Sequence, residues 1–183
     1  MRVALFGGSF NPPHVAHQLV CTYVLATARP AVDQVWMNPT FVHPFGKQLA
    51  AYEDRVTMCQ RAATLFGGRV VVSRIESELE GESYTVRTVR ELMKRHPEHG
   101  FALVIGADLL KQRERWRDWP ALSQLVPQII VGRANHQGGE VELPAISSTE
   151  IRRRVAVAES IDALVPLGVV DYIAEHGLYR HGQ

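Results

Sequence analysis

The stretch Arg2-Val-Ala-Leu-Phe6-Gly7-Gly8-Ser9-Phe10-Asn11-Pro12-Pro13 decides how the chain folds. Arg2 to Phe6 is a short apolar run that reads as a buried strand, and the residues from Gly7 to Pro13 can only form a turn. A helix must start there. Pro13 suits a first helical position, where its missing N–H costs nothing, and Val15, Ala16, Leu19, Val20, Tyr23 and Val24 recur at helical spacing. His14 and His17 then sit three apart on one face of the first turn, at the positive end of the helix dipole. Open N–H groups, small side chains at Gly8 and Ser9 and two imidazoles make a site suited to phosphate. The loop lacks the Lys-Ser/Thr of a P-loop and the third glycine of a dinucleotide fingerprint.

The rest of the chain repeats strand and helix. Asp33 to Met37 reads as a second strand, and Thr40 to Ala51 as a loop over a site. A helix carries Val56, Cys59, Ala62, Ala63 and Phe66 inward and ends at Gly67-Gly68. Arg69 to Ser73 is a third strand, Glu76 to Glu82 an acidic turn, and Ser83-Tyr84-Thr85 leads into a helix with apolar face Val86, Val89, Leu92 and Met93, closed by Pro97 and Gly100. Phe101 to Ile105 is a fourth strand ending in Gly106-Ala-Asp108. The pattern predicts that a helix bearing Leu109, Leu110, Trp116 and Trp119 follows until Pro120 stops it. Gln128 to Val131 is a fifth strand, and Arg133 to Pro144 a polar loop. Ser147-Ser-Thr-Glu150 matches a capping box, and Leu167 to Glu175 forms the last helix. Runs such as Val70-Val-Val imply a Rossmann-like, doubly wound α/β fold: a parallel sheet of about five strands with helices on both faces. Ligands in such sheets bind beyond the strand C-termini, where the Gly7 to His17 segment, Gly106-Ala-Asp108 and the capping box all lie.

With 183 residues and 46% hydrophobic content, the chain is expected to form a single domain over 1–183. Twenty basic and 19 acidic residues leave a net charge of +1, so no overall field favours nucleic acid or an anionic membrane. No apolar run reaches the ~18 residues that would span a bilayer, and no leader opens the chain. Cys21 and Cys59 fall on apolar helix faces and read as reduced core residues, which points to a cytoplasmic protein. His14 and His17 could belong to a zinc site, but no third ligand stands at readable spacing, so no metal-ligating set is assigned.

The segment Ile146-Ser147-Ser148-Thr149-Glu150-Ile151-Arg152 offers N–H donors and hydroxyls at a helix start, with Arg152 able to add a bidentate contact to an anion. Arg153 and Arg154 point elsewhere around the helix and read as a solvated face. This segment resembles Ile-Ser-Ser-Thr-x-Ile-Arg, the second signature of the nucleotidyltransferase superfamily. Gly8-Ser-Phe-Asn-Pro-Pro-His14-Val-Ala-His17 resembles its first, Gly-Ser-Phe-x-Pro-x-His-x-Gly-His, with Ala16 where the family usually has Gly. With Ser83-Tyr-Thr85, Gly106-Ala-Asp108, Trp116 and the ending Leu164-Val-Pro…Gly177-Leu-Tyr179, the resemblance narrows to the bacterial nicotinate mononucleotide adenylyltransferases. Relatives often have Pro-Pro-His-Lys where this chain has His43-Pro-Phe-Gly-Lys47, and Arg-Pro-Gly where it has Arg133-Ala-Asn135.

The resemblance implies AMP transfer from ATP, with Mg²⁺ brought by ATP, to nicotinate mononucleotide. It implies roles for His14, His17 and Arg152 in catalysis, and for Gly8, Ser9, Phe10, Gly106, Asp108, Ser147, Ser148 and Thr149 in holding ATP. Tyr84, Thr85 and Trp116, with Lys47, would hold the mononucleotide. Trp119 is assigned to the core. Nicotinamide mononucleotide or phosphopantetheine as acceptor, a nucleotide-sensing domain without turnover, and assembly as a homo-oligomer stay open at this point.

Overall fold

A computed structural model describes residues 1–44, 46–79, 81–110, 113, 116–132 and 144–180, except the side chain of Asp108. The loop expected from Arg133 lies outside the described residues up to 143. Five strands, β1 (Arg2–Gly8), β2 (Gln34–Pro39), β3 (Val70–Val72), β4 (Gly100–Gly106) and β5 (Gln128–Val131), form one sheet in the order β3-β2-β1-β4-β5. Every pairing is parallel, as in Leu5 opposite Trp36 on one side and Leu103 on the other. The chain winds outward from β1 to β3, then returns to β4 on the far side of β1. The switch point between β1 and β4 is therefore where a crevice opens.

Alternation along β1 explains the two faces. Ala4 packs with Val20, Cys21 and Val24 of α1 (Val15–Thr27) and Cys59 of α2 (Tyr52–Ala63). Val3 and Leu5 face the other way, onto Ile75 of α3 (Ile75–Glu78), Val86, Val89 and Leu92 of α4 (Thr85–Arg95), and Leu122 of α6 (Trp119–Leu125). Full burial of such aliphatic side chains contributes about 1.5–3 kcal/mol each. A third cluster joins Met58 and Ala62 of α2 to Ile151 of α7 (Ser148–Ala156) and Val169, Tyr172 and Ile173 of α8 (Leu167–Glu175). That cluster brings the C-terminal helices back beside the first turn. Cys21 and Cys59 are buried and free, and burial pushes the Cys21 thiol up to about 12.

Several sequence expectations are corrected. Pro13 is not helical: α1 starts at Val15 with His14 as its extended N-cap. The acidic segment contains the one-turn α3, in which Glu76 is buried and accepts from Thr88 Oγ1 at 2.6 Å. Met93 is 38% exposed, so the buried stripe of α4 runs through Val86, Val89 and Leu92 alone, with Thr88. Among the described residues the helix expected to run to Pro120 is not continuous: α5 (Ala107–Leu110) is its opening turn, Trp116 to Asp118 are bend and turn, and Pro120 lies in the first turn of α6, where proline costs no hydrogen bond. Trp119 is only partly buried, packing against the core from its edge. No helix among the described residues is long and apolar enough to cross a membrane.

Candidate nucleotide site

The loop after β1 is a built structure. A Cβ at Gly8 would lie 3.1 Å from Phe10 Cζ, so a larger residue there requires the buried Phe10 ring to give way. Phe10 takes a left-handed φ of 46°, uncommon for a bulky residue, and its ring is buried between Phe6 (5.4 Å) and His17 (4.9 Å). Phe10 thus supports His17 from the core rather than presenting its ring to a ligand. The Gly8 carbonyl accepts from Thr40 N at 3.0 Å and Thr40 Oγ1 at 3.2 Å, which ties the end of β1 to the end of β2.

His14 and His17 are joined by more than helical spacing. The His14 N–H donates to Nδ1 of His17 at 3.0 Å, the part that Glu or Gln plays in an ordinary capping box. In its neutral form His17 therefore carries its proton on Nε2. The two rings lie 3.8 Å apart, with His14 buried and His17 the more exposed. Ala16 is 1% exposed, its methyl enclosed by protein.

Helix α7 meets this loop from the other end of the chain. Ser147 is its N-cap, accepting from Glu150 N at 3.2 Å. The Glu150 carboxylate turns away, so only half of the expected capping box forms. It pairs with Arg153 and Arg154, and these guanidiniums hold its carboxyl down at about 2. Those two arginines are the solvated face the sequence indicates. Arg152 points to the loop: its Nη1 donates to Asn11 O at 2.8 Å, while Ser148 Oγ donates to Pro12 O at 2.9 Å.

Three supporting residues escape the sequence reading. Asn11 is 2% exposed, and its Oδ1 accepts from Tyr179 Oη at 2.8 Å and from Ala50 N at 3.1 Å. Burial raises the Tyr179 hydroxyl above its ordinary range, so it remains a donor at neutral pH. Arg55 is 1% exposed, donating from Nη1 to Ser9 O at 3.0 Å and from Nε to Ala50 O at 2.9 Å. Its signal was present in sequence, because a charge stands one helical turn before Cys59 on the inward face of α2. Asn11, Gln48 to Ala51, Arg152 and Tyr179 line a pocket of about 440 Å³.

The residues expected to hold an acceptor are arranged separately. Ser83 Oγ accepts from Phe41 N (3.1 Å) and Val42 N (3.3 Å), pinning the segment before α4 to the loop after β2. Tyr84 is the N-cap of α4 and Thr85 its first residue. The Tyr84 hydroxyl donates to Glu82, and Arg117 covers its ring at 4.6 Å. Tyr84 lines a hollow of about 420 Å³ with Arg87, Arg90 and Arg117, distinct from the pocket at Asn11. Trp116 packs edge-on against Trp119 at 5.8 Å. Gly106 ends β4 beside the β1 loop, and Asp108 lies in α5. Lys47 is exposed. His43 is held below its ordinary range by burial first, then by the charges of Lys47 and Arg55.

A parallel sheet with a glycine turn, paired imidazoles and a second helix start at its switch point defines an α/β protein whose helix starts suit an anion. A model of the cytidylyltransferase-like family matches residues 5–154, and the chain belongs to that family. A relative from Anaeromyxobacter sp. (strain K), named "Probable nicotinate-nucleotide adenylyltransferase", is 48% identical over 98% of this chain and 97% of its own. One of the same name from Myxococcus xanthus (strain DK1622) is 40% identical over 98% and 95%. Among solved structures, Plasmodium falciparum nicotinic acid mononucleotide adenylyltransferase complexed with NaAD superposes with a TM-score of 0.82. It is 20% identical, covering 97% of each chain.

Proposed function

We propose that the protein transfers AMP from ATP to nicotinate mononucleotide, giving deamido-NAD and pyrophosphate. The observation that carries this reading is the closure of the Ser9 to His17 loop by Arg152 and Ser148, which brings the start of α7 against the loop that precedes α1. Relatives at up to 48% identity carrying the adenylyltransferase name support the choice of reaction.

An oxygen of the mononucleotide phosphate attacks the α-phosphorus of ATP, the bond to the bridging oxygen breaks, and pyrophosphate leaves. The phosphate monoester is already ionised at neutral pH, so no enzyme nucleophile is needed. The protein aligns the reactants and stabilises charge on the transferring group. Nε2–H of neutral His17 donates to a phosphate oxygen, with His14 behind it. The N–H groups of Gly8 and Ser9 receive the triphosphate, and Ser147, Ser148, Thr149 and Arg152 hold its far end. Gly106 leaves room for the nucleoside, and Asp108 receives its ribose. Mg²⁺ would come with ATP, coordinated by triphosphate oxygens and water, and would offset charge on the transferring group. Thr85, at the start of α4, and Trp116 receive the nicotinate, with Tyr84 beside them. Lys47 reaches the mononucleotide phosphate.

Initial rates with the two mononucleotides test the acceptor. N–H groups at a helix start favour the nicotinate carboxylate. A nicotinamide brings N–H donors to N–H donors, at a cost of about 1–3 kcal/mol or roughly ten- to a hundredfold in kcat/KM. Equal kcat/KM for the two would overturn the assignment of the acid.

A further inference from the structure

The turn joining α4 to β4 reads His96-Pro97-Glu98-His99 and lies at the opposite end of the sheet from the nucleotide loop. The His96 N–H caps α4 by donating to Leu92 O at 2.9 Å. Pro97 then carries the chain round until the His99 N–H donates to His96 O at 3.0 Å. An aromatic wall holds both imidazoles. His96 meets the Trp36 ring edge-on at 5.2 Å, His99 lies 6.0 Å from Trp36 and 6.2 Å from Phe101, and the two imidazoles stack at 5.3 Å with 15° between their planes.

Glu98 Oε1 is 3.8 Å from His96 Nδ1 and 3.1 Å from His99 Nδ1. The buried His99 Nδ1 nonetheless has no hydrogen-bond partner, so an ion-pair distance is present without hydrogen-bond geometry. A buried polar atom left in this state is unfavourable, and a ligand that bonds it removes that cost. One ligand atom from each of the three side chains lies within 4.8 Å of the others, and no second grouping of this kind occurs among the described residues.

We propose that His96, Glu98 and His99 form a binding site for a divalent transition-metal ion, with Zn²⁺ the best match, separate from the nucleotide site. Two imidazoles and a carboxylate are donors of borderline softness, which suit Zn²⁺ and its neighbours and not the hard Mg²⁺ that accompanies ATP. A tetrahedral ion with bonds of about 2.0–2.1 Å sets its ligand atoms roughly 3.3 Å apart, and water would complete the shell. Glu98 Oε1 already lies near that spacing from both Nδ1 atoms, so the remaining closure, roughly 1.5 Å at most by that geometry, lies between the two imidazoles and falls to His96, the more exposed of them at 37%.

Calorimetric titration of the full chain with Zn²⁺ at neutral pH, combined with imidazole NMR signals, tests this. The expected result is one ion per chain, shifts at His96 and His99, and affinity lost in His96→Ala and His99→Ala by more than the roughly 10- to 100-fold that outer-shell changes cost. Glu98→Gln, at an exposed position, keeps the test independent of folding and is expected to weaken binding by about tenfold on the same scale. Absence of binding, shifts confined to His14 and His17, or undiminished affinity in the three variants would each overturn the proposal.

Discussion

The nucleotide loop and the acceptor region are held by different means. Around Ser9 to His17, contacts link distant parts of the chain: Arg152 to Asn11 across 141 positions, Tyr179 to Asn11 across 168, Ser148 to Pro12 across 136. Buried Arg55 adds two bonds from beneath. Around Tyr84 and Trp116 the contacts of those two side chains are local or aromatic, such as Tyr84 to Glu82 and Trp116 to Trp119, and the long-range ties run through Ser83 to Phe41 and Val42. A site that stabilises charge must be ordered before reaction begins, because reorganisation during the reaction would consume the gain. A site that only receives a ring needs a face of the right chemistry, which adjustable side chains supply.

This contrast sets an order of effects. His17→Ala is expected to lower kcat by about 10², or ~3 kcal/mol, with little change in folding, since it removes a donor to developing charge. An unchanged kcat in folded protein would take His17 out of the mechanism. Arg152→Lys keeps the charge but loses the planar fork and its bond to Asn11, so KM for ATP should rise by about tenfold while that for the mononucleotide stays fixed. The reverse pattern would move Arg152 to the acceptor side. Trp116→Ala should weaken both mononucleotides alike, by roughly two- to tenfold for a stacking worth about 0.5–1.5 kcal/mol. A reversed preference between them would show that Trp116 reads the substituent as well as the ring. The effect of Tyr179→Phe falls on stability rather than rate, where Asn11 Oδ1 keeps its bond from Ala50. About 1 kcal/mol of stability should be lost in denaturant unfolding. A wild-type midpoint would make the Tyr179 bond incidental.

Sequence legibility follows the same divide. β5 and α8 occupy the residues their patterns indicate, because Gln128 to Val131 and Leu167 to Glu175 carry unambiguous hydrophobic runs between clear breaks. Paired short motifs also made readable that the Ser147 to Arg152 segment returns to the Ser9 to His17 loop, where Arg152 bonds Asn11 and Ser148 bonds Pro12. Pro120 shows the limit: proline ends one helix as readily as it begins the next, and local sequence does not separate the two. Arg55 and Asn11 were missed for another reason. Their partners are backbone carbonyls and a tyrosine far along the chain, and only tertiary structure brings these together.

The central claim is that this ordered loop transfers AMP directly between two phosphates. The most direct test follows pyrophosphate and deamido-NAD in one reaction of ATP with nicotinate mononucleotide, for the wild type and His17→Ala. The account predicts equal amounts of both products at every time point, and a fall in both rates by about 10² in the variant. Pyrophosphate released without dinucleotide, or no turnover of ATP at all by the folded wild type, would contradict it.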